Sequence, residues 1–377
     1  MSKETLYASE AVRLRDERTG VTIWQMTAHL SIQHHLYFLT SSMTPDGKRL
    51  IFTSYRTGSP NFFAVGFPTG DIVQLTDADG IHGFSGVLDP TGETLYFTRN
   101  GEVRSLDLVT LDERVLADYG DGQLGECDLN ADGSLIVTAM KRNGRSHIVV
   151  TRTDGSGGDV IAESPRTIIH PQFHPSDPTL IEYAGDPAPR MWTIRANGSE
   201  NTLLWKHEND EFLVHETFLG DGDDLIVVRW PYALHRFSLA SRQMTTIAAF
   251  NAWHIAPSRD GRHVLCDTSH PDIGVQLVNV ETGARKTLCY PDSSNGGTQW
   301  RFDRYALAED FARASVAEER AKSLSWMEMK IEPVYGPQWT HPHPSFGADE
   351  RTVIFTSDRT GHPQVYVAEI PNGFFDF

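Results

Sequence analysis

Polar and apolar positions along this chain fall into units that repeat. Each unit opens on a turn rich in Asp, Gly or Pro, runs through a β-rich apolar segment, crosses a second polar turn and enters another apolar segment. TPDGKRLIFTSYRTGSPNFFAV, DPTGETLYFTRNGEVRSLDL and GADERTVIFTSDRTGHPQVYVAEI are three examples. Anchored on the first apolar residue after the turn, the units begin at Leu50, Leu95, Leu135, Leu180, Leu225, Val264 and Val353, with steps of 45, 40, 45, 45, 39 and 89 residues. A period of about 40 to 45 residues with about four short strands per unit is the signature of propeller blades. The pattern predicts an all-β, seven-bladed β-propeller. The doubled last step contains residues 291–335, which lack the turn-plus-strand pattern. Within them ALAEDFARASVAEERAKSL has the alanine content and apolar spacing of a helix, so this stretch reads as a partly helical insertion between blades six and seven. The run Val21 to Thr27 has no blade of its own; pairing with the C-terminal blade would close the ring without a free edge. Residues 1–377 are then expected to form one domain whose core lies between blades, built from residues such as Leu50, Phe52, Tyr96, Ile136, Val137, Ile226, Val227, Ile354 and Phe355.

Composition narrows the partners. A net charge of -17 argues against nucleic acid or an anionic membrane surface, which would repel the chain. The three cysteines, Cys127, Cys266 and Cys289, are odd in number and lack metal-like spacing, so they read as reduced, mostly buried residues of a cytoplasmic protein. MSKETLYASEAVRLRDERTG has no apolar signal region, and no segment reaches transmembrane length. A homo-oligomer is compatible with all of this.

The repeat also places the chemistry. Among sixteen histidines, His170, His215, His254 and His343 each stand ten residues before the anchor of blades four to seven, where blades one to three carry Thr40, Ser85 and Gly125. Equal phase in a ring means equal position, so the four imidazoles are expected on one arc of the central channel. In GPQWTHPHPSF the prolines keep the chain extended and His341 and His343 share one face, with Gln338 three residues earlier. His341, His343, His254 and the Gln338 amide oxygen could therefore converge on a metal such as Fe, Ni, Cu, Zn or Mn. Neutral ligands leave the ion its full charge, which suits an anionic substrate. A neutral His215 beside such an ion is a candidate general base, and Arg190 in PAPRMWTI is the nearest cationic candidate. Strand alternation sends Glu216 to the face opposite His215, and His170 is left as a substrate contact. His270, off the arc's phase, is the substitute ligand should His254 not serve. Asp46, Asp132 and Asp260 read as turn residues, as does Asn197-Gly198-Ser199.

QWTHPHPSFGADERTVIFTSD, together with VHETFLGDGDDLIVV, AWHIAPSRDG, PRMWTI and HHLYFLTSSMTPDGKRLIF in matching order, resembles the oligogalacturonate lyases, cytoplasmic seven-bladed propellers of pectin breakdown. The likeness runs from about residue 22 to 370, and Gln-x-x-His-x-His is its most specific element. It implies a Mn²⁺-type ion on His254, Gln338, His341 and His343, His215 as the base, and Arg190 as the essential arginine. The implied reaction is β-elimination on a short anionic oligouronide: C5 proton abstraction, then loss of the C4 oxygen to leave a 4,5-unsaturated uronate. Where the family has His-Arg-Asn-Tyr-Phe this chain has His34-His35-Leu36-Tyr37-Phe38, which implies substrate contacts at His34 and Tyr37 but lacks the family's cation. The loop before Arg190 is shorter than the family's, and the 291–335 insertion is expected to form a lid or wall at the metal end of the channel. The repeat alone would equally fit a non-catalytic TolB-like propeller that binds protein or peptide. The histidine arc favours the enzyme, and a lyase or epimerase acting on another uronate would begin with the same proton abstraction.

Overall fold

Seven antiparallel sheets surround a central channel in the computed structural model, which describes residues 2–297, 304–307, 309–310, 313 and 332–377. The innermost strands are Gln33–His35, Val87–Leu88, Gln123–Leu129, Thr167–Phe173, Leu213–Phe218, Ala252–Pro257 and Ser345–Phe346. Every repeat anchor falls at the first or second position of the next strand outward, beginning at Arg49, Thr94, Leu135, Leu180, Leu225, His263 and Thr352. The period read from the sequence is thus the blade period.

The last blade is composite. Thr22–Gln25 pairs with Gln364–Glu369, placing Ile23 opposite Ala368 and Trp24 opposite Val367, and Val12–Arg15 is added outside it. Leu6–Tyr7 then joins the outer strand of blade one, so the N-terminal segment touches both sides of the closure. Polar bonds fasten the seam: Trp24 Nε1 donates to Glu369 at 2.7 Å, and the Thr27 hydroxyl donates to Gln364 at 2.7 Å.

Apolar layers lie between blades. Leu50, Phe52 and Phe63 of blade one pack with Ile354, Val365 and Val367 of the last blade, while Val137 and Ile148 of blade three pack with Ile168, Phe173 and Ile181 of blade four. Burying each such side chain contributes about 1.5–3 kcal/mol, so the ring is held by many small, local increments. Cys127, Cys266 and Cys289 are free thiols within these layers. The turn aspartates cap their turns: Asp46, Asp132 and Asp260 each accept the backbone N–H two residues on. Asn197 does the same for Ser199. Most of ALAEDFARASVAEERAKSL lies outside the described residues; Glu332–Tyr335 forms one helical turn.

Candidate active site

The inner strands of blades three to six each carry one break in register, between Leu124 and Cys127, Ile169 and Gln172, Val214 and Thr217, and Ala252 and Ile255. A β-bulge leaves residues unpaired and re-aims their side chains. Gly125, His170 and His215 are the first of the two residues at their breaks and His254 is the second at its own, so the equally phased positions all fall within bulges. His170, His215 and His343 adopt φ values of 52°, 58° and 47°. Such left-handed backbone is uncommon outside glycine and persists only where surrounding structure enforces it.

Blades six and seven supply a cluster of nitrogen donors. His254, His341 and His343 offer ring nitrogens that all lie within 4.8 Å of one another, and all three residues are buried. The His254 and His343 rings are 3.7 Å apart between centroids. Asp267 organises the cluster: it accepts the backbone N–H groups of His254 at 2.7 Å and of His343 at 3.1 Å, and meets His254 Nδ1 at 2.7 Å. A carboxylate on Nδ1 assigns the proton there and leaves Nε2 as a lone-pair donor. His341 Nε2 donates to the Tyr335 carbonyl at 2.7 Å, which leaves its Nδ1 as the lone pair. Burial holds all three imidazoles below their ordinary range, His341 down to about 3, and pushes the Asp267 carboxyl up to about 7. His343 Nε2 is a buried nitrogen with no hydrogen-bond partner among the described residues. Unprotonated imidazoles aimed at a common point, one with an unspent lone pair, fit a divalent cation. Gln338 stands in the short helical turn Gln338–Thr340 and lines the same cavity as His254 and His341.

His215 and Arg190 face that cavity from blades five and four. His215 Nδ1 donates to the Trp253 carbonyl at 2.6 Å, so Nε2 is the basic atom, and its ring lies 4.5 Å from that of His254. Burial, then the neighbouring His254, His170 and Arg190, hold His215 well below the ordinary histidine range. Arg190 directly precedes the strand Met191–Arg195, and its guanidinium is gripped by Glu216 and Asp186. The alternation expected along His215 and Glu216 is interrupted by the bulge, and the Glu216 carboxylate meets Arg190. His170 also lines the cavity, stacked on Tyr37 with Nε2 3.2 Å from the phenol oxygen.

Other expectations meet different surroundings. His34 is fully buried, stacked on Phe84 at 3.9 Å with Nδ1 donating to the His35 carbonyl at 2.8 Å, and does not line this cavity. Tyr37 stands behind His170 as its partner. His35, where the family has a cation, is a support: its Nε2 donates to the His343 carbonyl at 2.6 Å. His270 is absent from the donor cluster, its Nε2 lying 3.2 Å from the Asn295 carbonyl. Asp267, Glu216 and Asp186 were not identified from sequence, nor were Tyr305 and Tyr335. These two tyrosines of the insertion line the cavity beside Arg190 and leave it a volume of only about 40 Å³. Phe38 lies underneath, stacked on His343 and in contact with His215 and His254.

Comparison with known proteins gives this constellation its context. The sequence profile of the oligogalacturonate lyases matches residues 3–139 and 143–374. The chain belongs to the oligogalacturonate lyase family. Among family members, the oligogalacturonide lyase of Pectobacterium atrosepticum is 23% identical over 96% of both chains, and the oligogalacturonate lyase of Dickeya dadantii 24% identical over 95% of both. The solved structure of an oligogalacturonate lyase in complex with manganese superposes with a TM-score of 0.82 at 21% identity, covering 100% of both chains. The propeller is therefore the oligogalacturonate lyase fold.

Proposed function

We propose that this oligogalacturonate lyase family member cleaves short oligogalacturonides by β-elimination with the help of a divalent cation, Mn²⁺ by preference. The observation that carries the reading is the meeting, in one buried cavity, of a basic nitrogen at His215, a cation at Arg190 and the donors of His254, His341 and Gln338, with His343 beside them. His254, Gln338, His341 and His343 would hold the metal. When bound, the ion supplies positive charge beside a uronate carboxylate.

Arg190 orients that carboxylate through the guanidinium N–H bonds that Glu216 and Asp186 leave open. The C5–H of a uronate is α to the carboxylate and only weakly acidic, so its removal requires compensation of charge developing on the carboxylate oxygens. His215 Nε2 takes the C5 proton, the electron pair forms the C4–C5 double bond, and the C4–O4 bond breaks. The departing sugar oxygen takes a proton from solvent, and His215 returns the proton it accepted to solvent, which closes the cycle. No water is consumed, and the products are a 4,5-unsaturated uronate and a shortened saccharide. Tyr305 and Tyr335 wall the cavity beside Arg190. The three buried free thiols support a reducing, cytoplasmic setting.

The test is incubation of manganese-loaded protein with a panel of oligouronides, following the ultraviolet absorbance of unsaturated product. A rise with galacturonides and little with mannuronides or guluronides is expected. No rise with any uronide, in protein shown to hold metal, would remove the lyase reading.

A further inference from the structure

Arg190 is an unusual residue for a ligand-binding cation because two carboxylates already hold it. Its side chain is 3% exposed and that of Glu216 is 1% exposed. Nε donates to one Glu216 oxygen at 2.9 Å, a terminal nitrogen donates to the other at 3.2 Å, and the second terminal nitrogen donates to Asp186 at 3.1 Å. A guanidinium has five N–H donors. Three are spent here, so two remain, and neither can be redirected without breaking the side-on pair. A buried ion pair adds little net stability because both charges are desolvated. Its use here is directional.

Glu216 is itself fixed. Its backbone carbonyl accepts Gln172 Nε2 at 2.8 Å, and the Thr217 hydroxyl donates to Gln172 Oε1 at 2.8 Å, tying the bulge of blade five to the inner strand of blade four. A second buried carboxyl, Glu182, lies beside them; burial and the Glu216 charge push it well above the usual carboxylate range, so Glu216 carries the charge that faces Arg190. His215 and Glu216 are consecutive residues of one bulge. The chain that aims the base therefore also anchors the arginine.

We infer that Glu216 is the positioning residue through which Arg190 acts, and that the His215-Glu216 dipeptide sets the spacing between the proton acceptor and the carboxylate-binding cation. The inference rests on the elimination reading above. In that reaction the proton leaves the carbon that bears the carboxylate, so both groups must meet one substrate atom and its substituent at a fixed separation.

Glu216→Gln keeps the shape and removes the charge. With trigalacturonate and saturating Mn²⁺ it should lower kcat/KM about 100-fold, the size of loss seen when a preorganised charge-stabilising group is disturbed, while bound manganese stays as in the wild type. In an Arg190→Ala background the same change should cost less than about twofold, because coupled residues are non-additive. Full activity of Glu216→Gln, or losses that multiply in the double variant, would overturn the inference. Should Glu216→Gln fail to fold, Glu216→Asp, which keeps the charge but withdraws it, should show an intermediate loss of about tenfold on the same logic. The ¹⁵N resonance of Arg190 Nε–H separates this question from the lyase reading. It should shift markedly in Glu216→Gln whether or not any uronide is cleaved, and an unmoved resonance would refute the positioning role.

Discussion

One set of inner strands lines two different cavities. On one side of the bulges lie His170, His215 and His254 with Arg190; on the other lie Asp128, Gln172, His174, Thr217, Ser258 and Ser345 around a basin of about 790 Å³. Phe38 stands between the two. The basin is large and mixed in character, with Leu39, Met43, Val87 and Phe346 among its walls, and polar groups such as His174 and Asp128 are spent on the scaffold. His174 Nδ1 accepts the backbone N–H groups of Ser176 and Asp177, each at 3.0 Å, and its Nε2 meets Asp223 at 3.1 Å. Asp128 accepts the Phe173 N–H at 2.6 Å. In the tight cavity the reverse holds for the central pair: His215 spends Nδ1 on the Trp253 carbonyl and His254 spends Nδ1 on Asp267, and each turns Nε2 to the interior. Cavity size is therefore a poor guide to function here. Half-satisfied histidines held on enforced left-handed backbone are a better one.

The comparison breaks most severely if the donor cluster is dispensable. His343→Ala should remove stoichiometric manganese and lower turnover by about 10²–10³-fold or more, as for loss of a group that compensates transition-state charge, checked by metal analysis and steady-state kinetics. Asp267→Asn tests the support behind that cluster. It should weaken manganese affinity about 10–100-fold, the usual effect of removing a carboxylate behind a ligating histidine, measured by metal titration. Tyr305→Ala widens the tight cavity; its hydroxyl donates to the Leu213 carbonyl and its ring packs on Phe212 at 4.5 Å. The expected result is a KM change of about three- to tenfold and tolerance of longer oligomers, from the loss of one buried wall contact.

The smallest effect is expected across the channel. Asp128 is a half-buried carboxyl on the wall of the basin, and its desolvation there pushes it up from 3.8 to about 7. The folded protein then holds a proton that the unfolded chain releases, so this group's contribution to stability is complete below the unfolded value and is lost as pH rises through about 7. Asp128→Asn should leave kcat unchanged, match the wild type in acid, and raise the thermal midpoint by about 2–4 °C near pH 8. Differential scanning calorimetry at two pH values checks it.

The blades were legible because their turns and apolar runs recur at a fixed period, and the histidine arc because a bulge at a fixed point in a repeat is itself periodic. The same bulge hid Glu216. Period-two alternation is the rule by which strand faces are read, and it fails where a residue is added. Asp267 was hidden for another reason: it sits three residues past its anchor in an ordinary strand, and only the fold brings it behind His254 and His343. Tyr305 and Tyr335 belong to the insertion, which has no repeat to place it. His34 came from a local resemblance, and the short inner strand Gln33–His35 turns it into the wall against Phe84.

The proposed base of the elimination is Nε2 of His215, whose Nδ1 is spent on Trp253. It is tested most directly by comparing wild type and His215→Ala at equal, saturating manganese occupancy, following ultraviolet absorbance with trigalacturonate. Absorbing product is expected from the wild type and a rate lower by about 10²–10⁴-fold from the variant, the contribution of a positioned general base, with metal content unchanged. A His215→Ala protein that forms unsaturated product at the wild-type rate would contradict this assignment.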